Sequence, residues 1–175
     1  MSNTIFDSKR VNPALDTMAR AIREGADDGN DIYMIGIQCG GAKVADALQH
    51  RLKKSAITVH RGNLDISFYR DDLDTVGPNP EVRPSDLPFD ITDKHIYLVD
   101  DVLYTGRTIR AALGEIFDYG RPATVKLAVL VDRGGHELPI SADIVGLSHQ
   151  AEAGQSVKLI TDPEGWYIKQ RRVKR

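Results

Sequence analysis

At 175 residues and a formal net charge of −2, the chain is long enough for one domain with a real core, and it carries no global basic field. Sequence-independent nucleic-acid binding is therefore disfavoured. No apolar run can span a membrane, no secretory signal is evident, and the single Cys39 excludes an intrachain disulfide framework. The expectation is a single domain over 1–175 in a reducing cytoplasm.

Residues 1–12 are polar and read as a poorly ordered end. Leu15, Met18, Ala19 and Ile22 recur at helical spacing, with Pro13 suited to a first turn. Residues 32–37 are an apolar run, the pattern of a buried parallel strand, and a loop follows over Gln38, Cys39, Gly40 and Gly41. Val44, Ala47, Leu48 and Leu52 then mark a second helix, with Lys43 on its polar side. Residues 56–60 read as a strand, and 64–70 alternate as a half-exposed strand would. Residues 74–88 hold Pro78, Pro80, Pro84 and Pro88 with little apolar content, so this long loop is either a lid or a tolerated insertion.

Residues 95–113 carry the densest signal. Ile96 to Val99 is a short apolar strand, and Asp100 and Asp101 follow at its end. Adjacent carboxylates repel and lose hydration there, so hydroxyls or a metal should use their oxygens. Thr105 can cap the helix implied by Ile109, Leu113, Ile116 and Phe117, and Gly106 permits close approach. A helix N-terminus offers free N–H groups and a positive dipole end. Strand, acidic pair, small-residue loop and helix start together suit a sugar phosphate, with the carboxylates on the hydroxyls and the loop on the phosphate. Residues 119–122 stop the helix. Residues 125–131 form a further buried strand ending in Asp132, Arg133, Gly134 and Gly135. A short strand over 142–145 and a closing pair, 157–160 and 166–168, complete the chain. The basic residues 169–175 read as a solvated or frayed end.

Val99-Asp-Asp-Val-Leu-Tyr-Thr-Gly-Arg-Thr108 resembles the phosphoribosyl pyrophosphate (PRPP) motif of type I phosphoribosyltransferases. It is not the nucleotide P-loop, because the Gly-Lys-Ser/Thr ending is absent. Residues 64–72, 87–91, 117–122, 127–134 and 137–140 are similar to the PyrR family, pyrimidine operon regulators with uracil phosphoribosyltransferase activity. The resemblance implies an α/β type I phosphoribosyltransferase fold. Its central parallel sheet is flanked by helices and carries a small hood, from about 64–90 and the C-terminal segment, and a lid loop at about 71–88. It implies PRPP with Mg2+ as substrate, and uracil converted to UMP with release of pyrophosphate. Asp100 and Asp101 would hold the ribose hydroxyls and, with Arg70 as a pyrophosphate clamp, form the catalytic set. Val99, Val102, Leu103 and Tyr104 belong to the PRPP-binding segment, and Thr105, Gly106, Arg107 and Thr108 would wrap the 5-phosphate. Cys39, Gly40 and Gly41 would face the pyrophosphate, and Asp132, Arg133 and Val157 the uracil. The resemblance also implies a homodimer or homotetramer and an mRNA leader as a further partner, with no membrane association.

This chain departs from the family's pattern in one place. Members with clear transferase activity often carry Thr-Arg-Gly in the first loop, where this chain has Cys39, Gly40 and Gly41. A lost charge-assisted hydrogen bond is worth roughly 1.5–3 kcal/mol, so Gly40→Arg is expected to tighten PRPP binding. No activating His can be placed beside Cys39, which reads as a small loop residue rather than a nucleophile. The runner-up function is a nucleotide-sensing RNA-binding regulator with weak or no transferase activity. A purine-type transferase ranks third, because the hood segments resemble PyrR.

Overall fold

The computed structural model describes residues 2–26, 31–53, 57–66 and 85–173. Along them run β1 (Ser2–Phe6), α1 (Ser8–Glu24), β2 (Ile32–Ile37), α2 (Gly40–Leu52), β3 (Val59–Leu64), β4 (His95–Leu103), α3 (Arg107–Tyr119), β5 (Thr124–Asp132), β6 (Ile144–Ser148), β7 (Gln155–Asp162) and β8 (Gly165–Arg172). The apolar runs of β2, β4 and β5 lie at the centre of a five-stranded parallel sheet of order β3-β2-β4-β5-β6. Burial on both faces is why these strands read as continuous rather than alternating hydrophobics. Val11, Leu15, Met18 and Ile22 of α1 and Val44, Leu48 and Leu52 of α2 pack on one face of the sheet with Ile32, Met34, Tyr97 and Val99. Ile109, Ala112 and Ile116 of α3 pack on the other face with Ile35, Ile37, Ile96 and Leu98.

This order creates the crevice. The chain leaves β2 through α2 to β3 on one side, then returns to β4 on the other. The loop after β2 therefore enters a helix on one face, and the loop after β4 a helix on the opposite face. Ligands of open α/β sheets collect where such connections diverge, at the carboxyl ends of the strands. A second, three-stranded antiparallel sheet, β1-β8-β7, packs through Val157 and Ile168 into the α1–α2 side of the core.

Several expectations are corrected. The N-terminus is ordered, because β1 pairs with β8 and Asp7 accepts a hydrogen bond from Lys9 N at 3.1 Å, capping α1. The helix thus starts at Ser8, and Pro13 lies in its second turn rather than its first. The strand expected at 56–60 is β3, Val59–Leu64, and Leu64, Asp65 and Ile66 are all buried rather than half exposed. Phe117, assigned to the apolar face of α3, is 57% exposed. The short strand expected at 142–145 is β6, shifted to Ile144–Ser148. The closing pair is longer than expected, and Lys169–Arg172 belongs to β8 instead of fraying, because cross-strand partners on both β1 and β7 hold it. Arg70 and residues 71–84 of the expected lid lie outside the described residues.

The cap gives the first testable outcome. Asp7→Ala should cost about 1 kcal/mol, which for a chain of this size lowers Tm by roughly 2–4 °C. Thermal unfolding checks it; an unchanged Tm would mean that the N-terminal segment adds nothing to stability.

Candidate functional site

A cleft of about 920 Å³ opens at the crevice, lined by the ends of β2 and β4, the starts of α2 and α3, Arg133 after β5, and the first half of β7. Its floor is β4, which runs on to Leu103. Asp100 and Asp101 therefore sit inside the strand, not after it. The ladder continues past them through the Val102–Val131 and Leu103–Asp132 pairs. Asp100 is 6% exposed. Its Oδ1 accepts from Asp101 N at 2.9 Å, and Asp101 Oδ1 accepts from Val102 N at 3.0 Å.

The two carboxylates lean toward the first turn of α2. A Cβ on Gly41 would collide with the Val99 carbonyl, lie 2.8 Å from Asp100 Cα and lie 3.1 Å from Asp100 Oδ1. A Cβ on Gly40 would collide with the Asp101 carboxylate itself. Both glycines thus belong to the helix and bring its positive end onto the acidic pair, which relieves the mutual repulsion of the two charges. The loop proper is only Gln38 and Cys39, joined by a cis peptide bond. Cys39 is exposed and unbridged. From below, Arg61 Nη2 donates to Ala42 O at 3.0 Å and to Asn63 Oδ1 at 2.7 Å. Burial lowers the pKa of this guanidinium from the ordinary arginine value, against the opposing pull of Asp46 at 3.1 Å.

The loop after β4 is braced from outside. Gly106, at φ +92°, is the N-cap of α3, a conformation that glycine adopts without strain. Thr105 therefore precedes the cap position, though its Oγ1 still accepts from Arg107 N at 3.3 Å. The Thr105 carbonyl accepts from Glu137 N at 3.0 Å and from Leu138 N at 3.1 Å. Arg107 Nε and Nη2 donate to Glu137 Oε2 at 3.2 and 3.1 Å. The segment 137–140 is thus the outer wall of the β4–α3 loop.

Of the expected site residues, the structure brings Cys39, Gly40, Asp100, Asp101, Val102, Leu103, Tyr104, Thr105, Gly106, Arg107, Thr108, Arg133 and Val157 to the one cleft. Val99 is core, and Gly41 lies beneath the wall rather than in it. Asp132 is not among the residues that line the cleft; its Oδ1 accepts from Gly134 N at 2.9 Å and pairs with His136 Nε2 at 2.9 Å. Sequence reasoning missed Lys43, whose Nζ donates to Thr161 Oγ1 at 2.9 Å while the side chain lines the cleft. It also missed Gln155, Ser156 and Lys158. The position of Lys43, three residues after Gly40 on a helix, was the available signal. On β7 only Val157 was assigned to the site, through the family resemblance; no local pattern marked its neighbours. The cleft carries four cationic side chains, Lys43, Arg107, Arg133 and Lys158, against two carboxylates, Asp100 and Asp101. That surplus suits a polyanionic ligand bearing hydroxyls.

A family model for the phosphoribosyl transferase domain matches residues 1–167. A bifunctional protein PyrR from Nitrosococcus oceani is 52% identical over 142 residues, covering 81% of this chain and 79% of that protein. Another, from Deinococcus radiodurans, is 44% identical over 157 residues, covering 89% and 86%. Among solved structures, a hypoxanthine-guanine phosphoribosyltransferase from Bacillus anthracis superposes with a TM-score of 0.69 at 21% identity, covering 85% of this chain and 84% of that one. That likeness is one of fold.

The two loop glycines should respond differently to a methyl group. Gly41→Ala meets backbone, which cannot step aside, and should cost about 1–3 kcal/mol. Gly40→Ala meets only the Asp101 carboxylate and should cost less. Equal Tm losses in the two variants would show that the α2 start is not seated on β4 as described. For the same reason, any gain from Gly40→Arg first requires Asp101 to move.

Proposed function

This chain belongs to the PyrR family of phosphoribosyl transferases, and from that membership we propose that it joins uracil to PRPP, forming UMP and pyrophosphate. The observation that carries the reading is the meeting, in one cleft, of the acidic pair with two helix starts and a surplus of cations. In the reaction, the bond from the ribosyl anomeric carbon to the pyrophosphate oxygen breaks. Uracil N1 bonds to that carbon and gives up its proton, which passes to the departing pyrophosphate or to water. Positive charge grows on the ribose as the leaving group departs. Asp100 and Asp101 are the anions that stabilise it while accepting from the sugar hydroxyls. The N–H groups at the start of α3, with Thr105, Thr108 and Arg107, hold the 5-phosphate. The start of α2 and Lys43 face the departing pyrophosphate. Val157 and the backbone around Arg133 are assigned to the base, and Arg70 to the pyrophosphate.

No cluster of three or more metal-ligating side chains occurs among the described residues. The donor set instead fits an Mg2+ that keeps water and phosphate ligands and takes one or two carboxylates from the protein. Asp100 and Asp101 would hold it, and it would neutralise charge on the pyrophosphate.

The hood is assigned to about 64–90 and the C-terminal segment, and the lid to about 71–88. Phe117 and Tyr119, 57% and 50% exposed on the last turn of α3, supply apolar surface for a dimer or tetramer. No helix among the described residues is long and apolar enough to cross a membrane.

A second, regulatory activity through an mRNA leader is part of the proposal. Lys158 and Lys169 stand directly opposite each other across β7 and β8, and Arg171 lies two residues along the same face. Like charges so paired destabilise a sheet, and a polyanion neutralises them. If these three cations contact single-stranded RNA, log K should fall against log salt with a slope of about −2, from roughly −0.7 per contact. A flat salt response, or RNA affinity indifferent to UMP, would sink this part alone.

The transferase is tested by UMP formation from uracil, PRPP and magnesium. In the Asp100→Asn, Asp101→Asn double variant, turnover should fall on the order of 100-fold or more with the unfolding transition preserved. Wild-type turnover in that variant would remove the ribose assignment.

A further inference from the structure

Tyr104 stands within the phosphate-binding segment, yet its ring is arranged for something other than phosphate. Arg133 Cζ lies 3.7 Å from the ring centroid, so the guanidinium backs one face of the ring. Arg133 is itself 5% exposed and fixed at two points: its backbone N donates to Leu103 O at 3.1 Å, and Nη1 donates to Gln155 O at 2.8 Å. Its Nε has no partner among the described residues. At the ring edge, a Cβ on Gly135 would lie 2.8 Å from Cε2, so glycine there, at φ +74°, leaves room for the ring. One face and one edge are thus held by fixed groups. Tyr104 is nevertheless 42% exposed, and it lines the cleft.

A phosphate gains nothing from an aromatic face, whose quadrupole is negative. A planar, electron-poor heterocycle does gain. We propose that Tyr104 is the base-stacking residue of the cleft, with Arg133 as the positioning residue that holds its ring flat. Thr105 and Gly106 follow immediately, so one short segment would hold both ends of a nucleotide, the base on Tyr104 and the 5-phosphate on the α3 start. The inference rests on the reading that the cleft takes a nucleotide. It does not depend on uracil, because stacking is tolerant of base identity.

The test is calorimetric binding of UMP and of ribose 5-phosphate to wild type, Tyr104→Phe and Tyr104→Leu. Loss of a base–aromatic stack should weaken UMP binding by roughly 5- to 150-fold in Tyr104→Leu. Tyr104→Phe should stay within about twofold, since the ring is kept, and ribose 5-phosphate should bind all three alike. Unchanged UMP affinity in Tyr104→Leu would overturn the inference. So would a parallel loss of ribose 5-phosphate, which would make Tyr104 a support of the phosphate loop. Should Tyr104→Leu not fold, Tyr104→Trp serves: its added fluorescence should be quenched by UMP and not by ribose 5-phosphate, and quenching by neither would overturn the inference. If wild type binds CMP or GMP but not UMP, the uracil reading fails, and the same variants measured with that nucleotide still decide whether Tyr104 stacks the base.

Discussion

The approach of α2 to β4 is the contact on which the rest of the site depends. Helix and strand meet backbone to backbone at Gly41, where even a methyl group would strike the Val99 carbonyl. Gly36 extends the same constraint to β2, since a Cβ there would lie 2.7 Å from Ala42 Cα. A helix seated this closely brings its unpaired first-turn N–H groups down onto the strand floor. That floor carries two carboxylates, which water would otherwise have to solvate. The helix end, the anions and the opening of the crevice are therefore one arrangement, fixed by absent side chains in α2 and β2.

The second wall is built by an opposite logic. The loop between β4 and α3 has few internal supports, since Gly106 caps α3 without a side-chain bond. Its rigidity comes from a segment far along the chain, whose N–H groups reach the Thr105 carbonyl. A Cβ on Gly106 would lie 3.3 Å from Leu138 Cβ and 3.4 Å from Ile140 Cβ, so the loop has no room to relax outward. This gives residues 137–140 a physical reason for resembling the family as the β4 motif does. They carry no chemistry of their own, but they set where the loop's N–H groups point.

How much of this was legible in the sequence follows from the range of the forces involved. The central strands and the three helices were readable, because burial on a sheet imposes local periodicity. The acidic pair and small-residue loop were readable, because nothing in an ordinary βα turn calls for them. The N-terminal strand was not: Ser2–Phe6 has too few apolar residues to declare itself, and it is ordered by partners on β8, more than 160 positions away. The extent of β4 was misjudged because two aspartates look like a strand end. They stay in the ladder because β5 keeps pairing beside them. Asp132 was assigned to the uracil through the family resemblance and not through a local pattern. Only the fold reveals that its oxygen is engaged in its own turn. The arrival of Gln155, Ser156 and Lys158 at the cleft is a fact of sheet packing, and no local pattern encodes it.

The missing loop arginine can be judged in the same terms. Where the family's pattern has a guanidinium, Gly40 has only space, and the Asp101 carboxylate fills it. An arginine introduced there would have to dislodge an anion that the proposed reaction uses. The positive charge is not absent, however; it is displaced by one helical turn. Lys43 shares the face of Gly40, lines the cleft and is steadied by the Thr161 hydroxyl at 2.9 Å. An ammonium is a compact, mobile charge rather than a bidentate fork, so it can follow a leaving pyrophosphate without fixing its orientation. Orientation would then fall to the backbone N–H groups that the two glycines leave open. A loop of this composition exchanges a side-chain clamp for a helix end and a nearby lysine. The positive character of the cleft resides in the fold more than in any one residue.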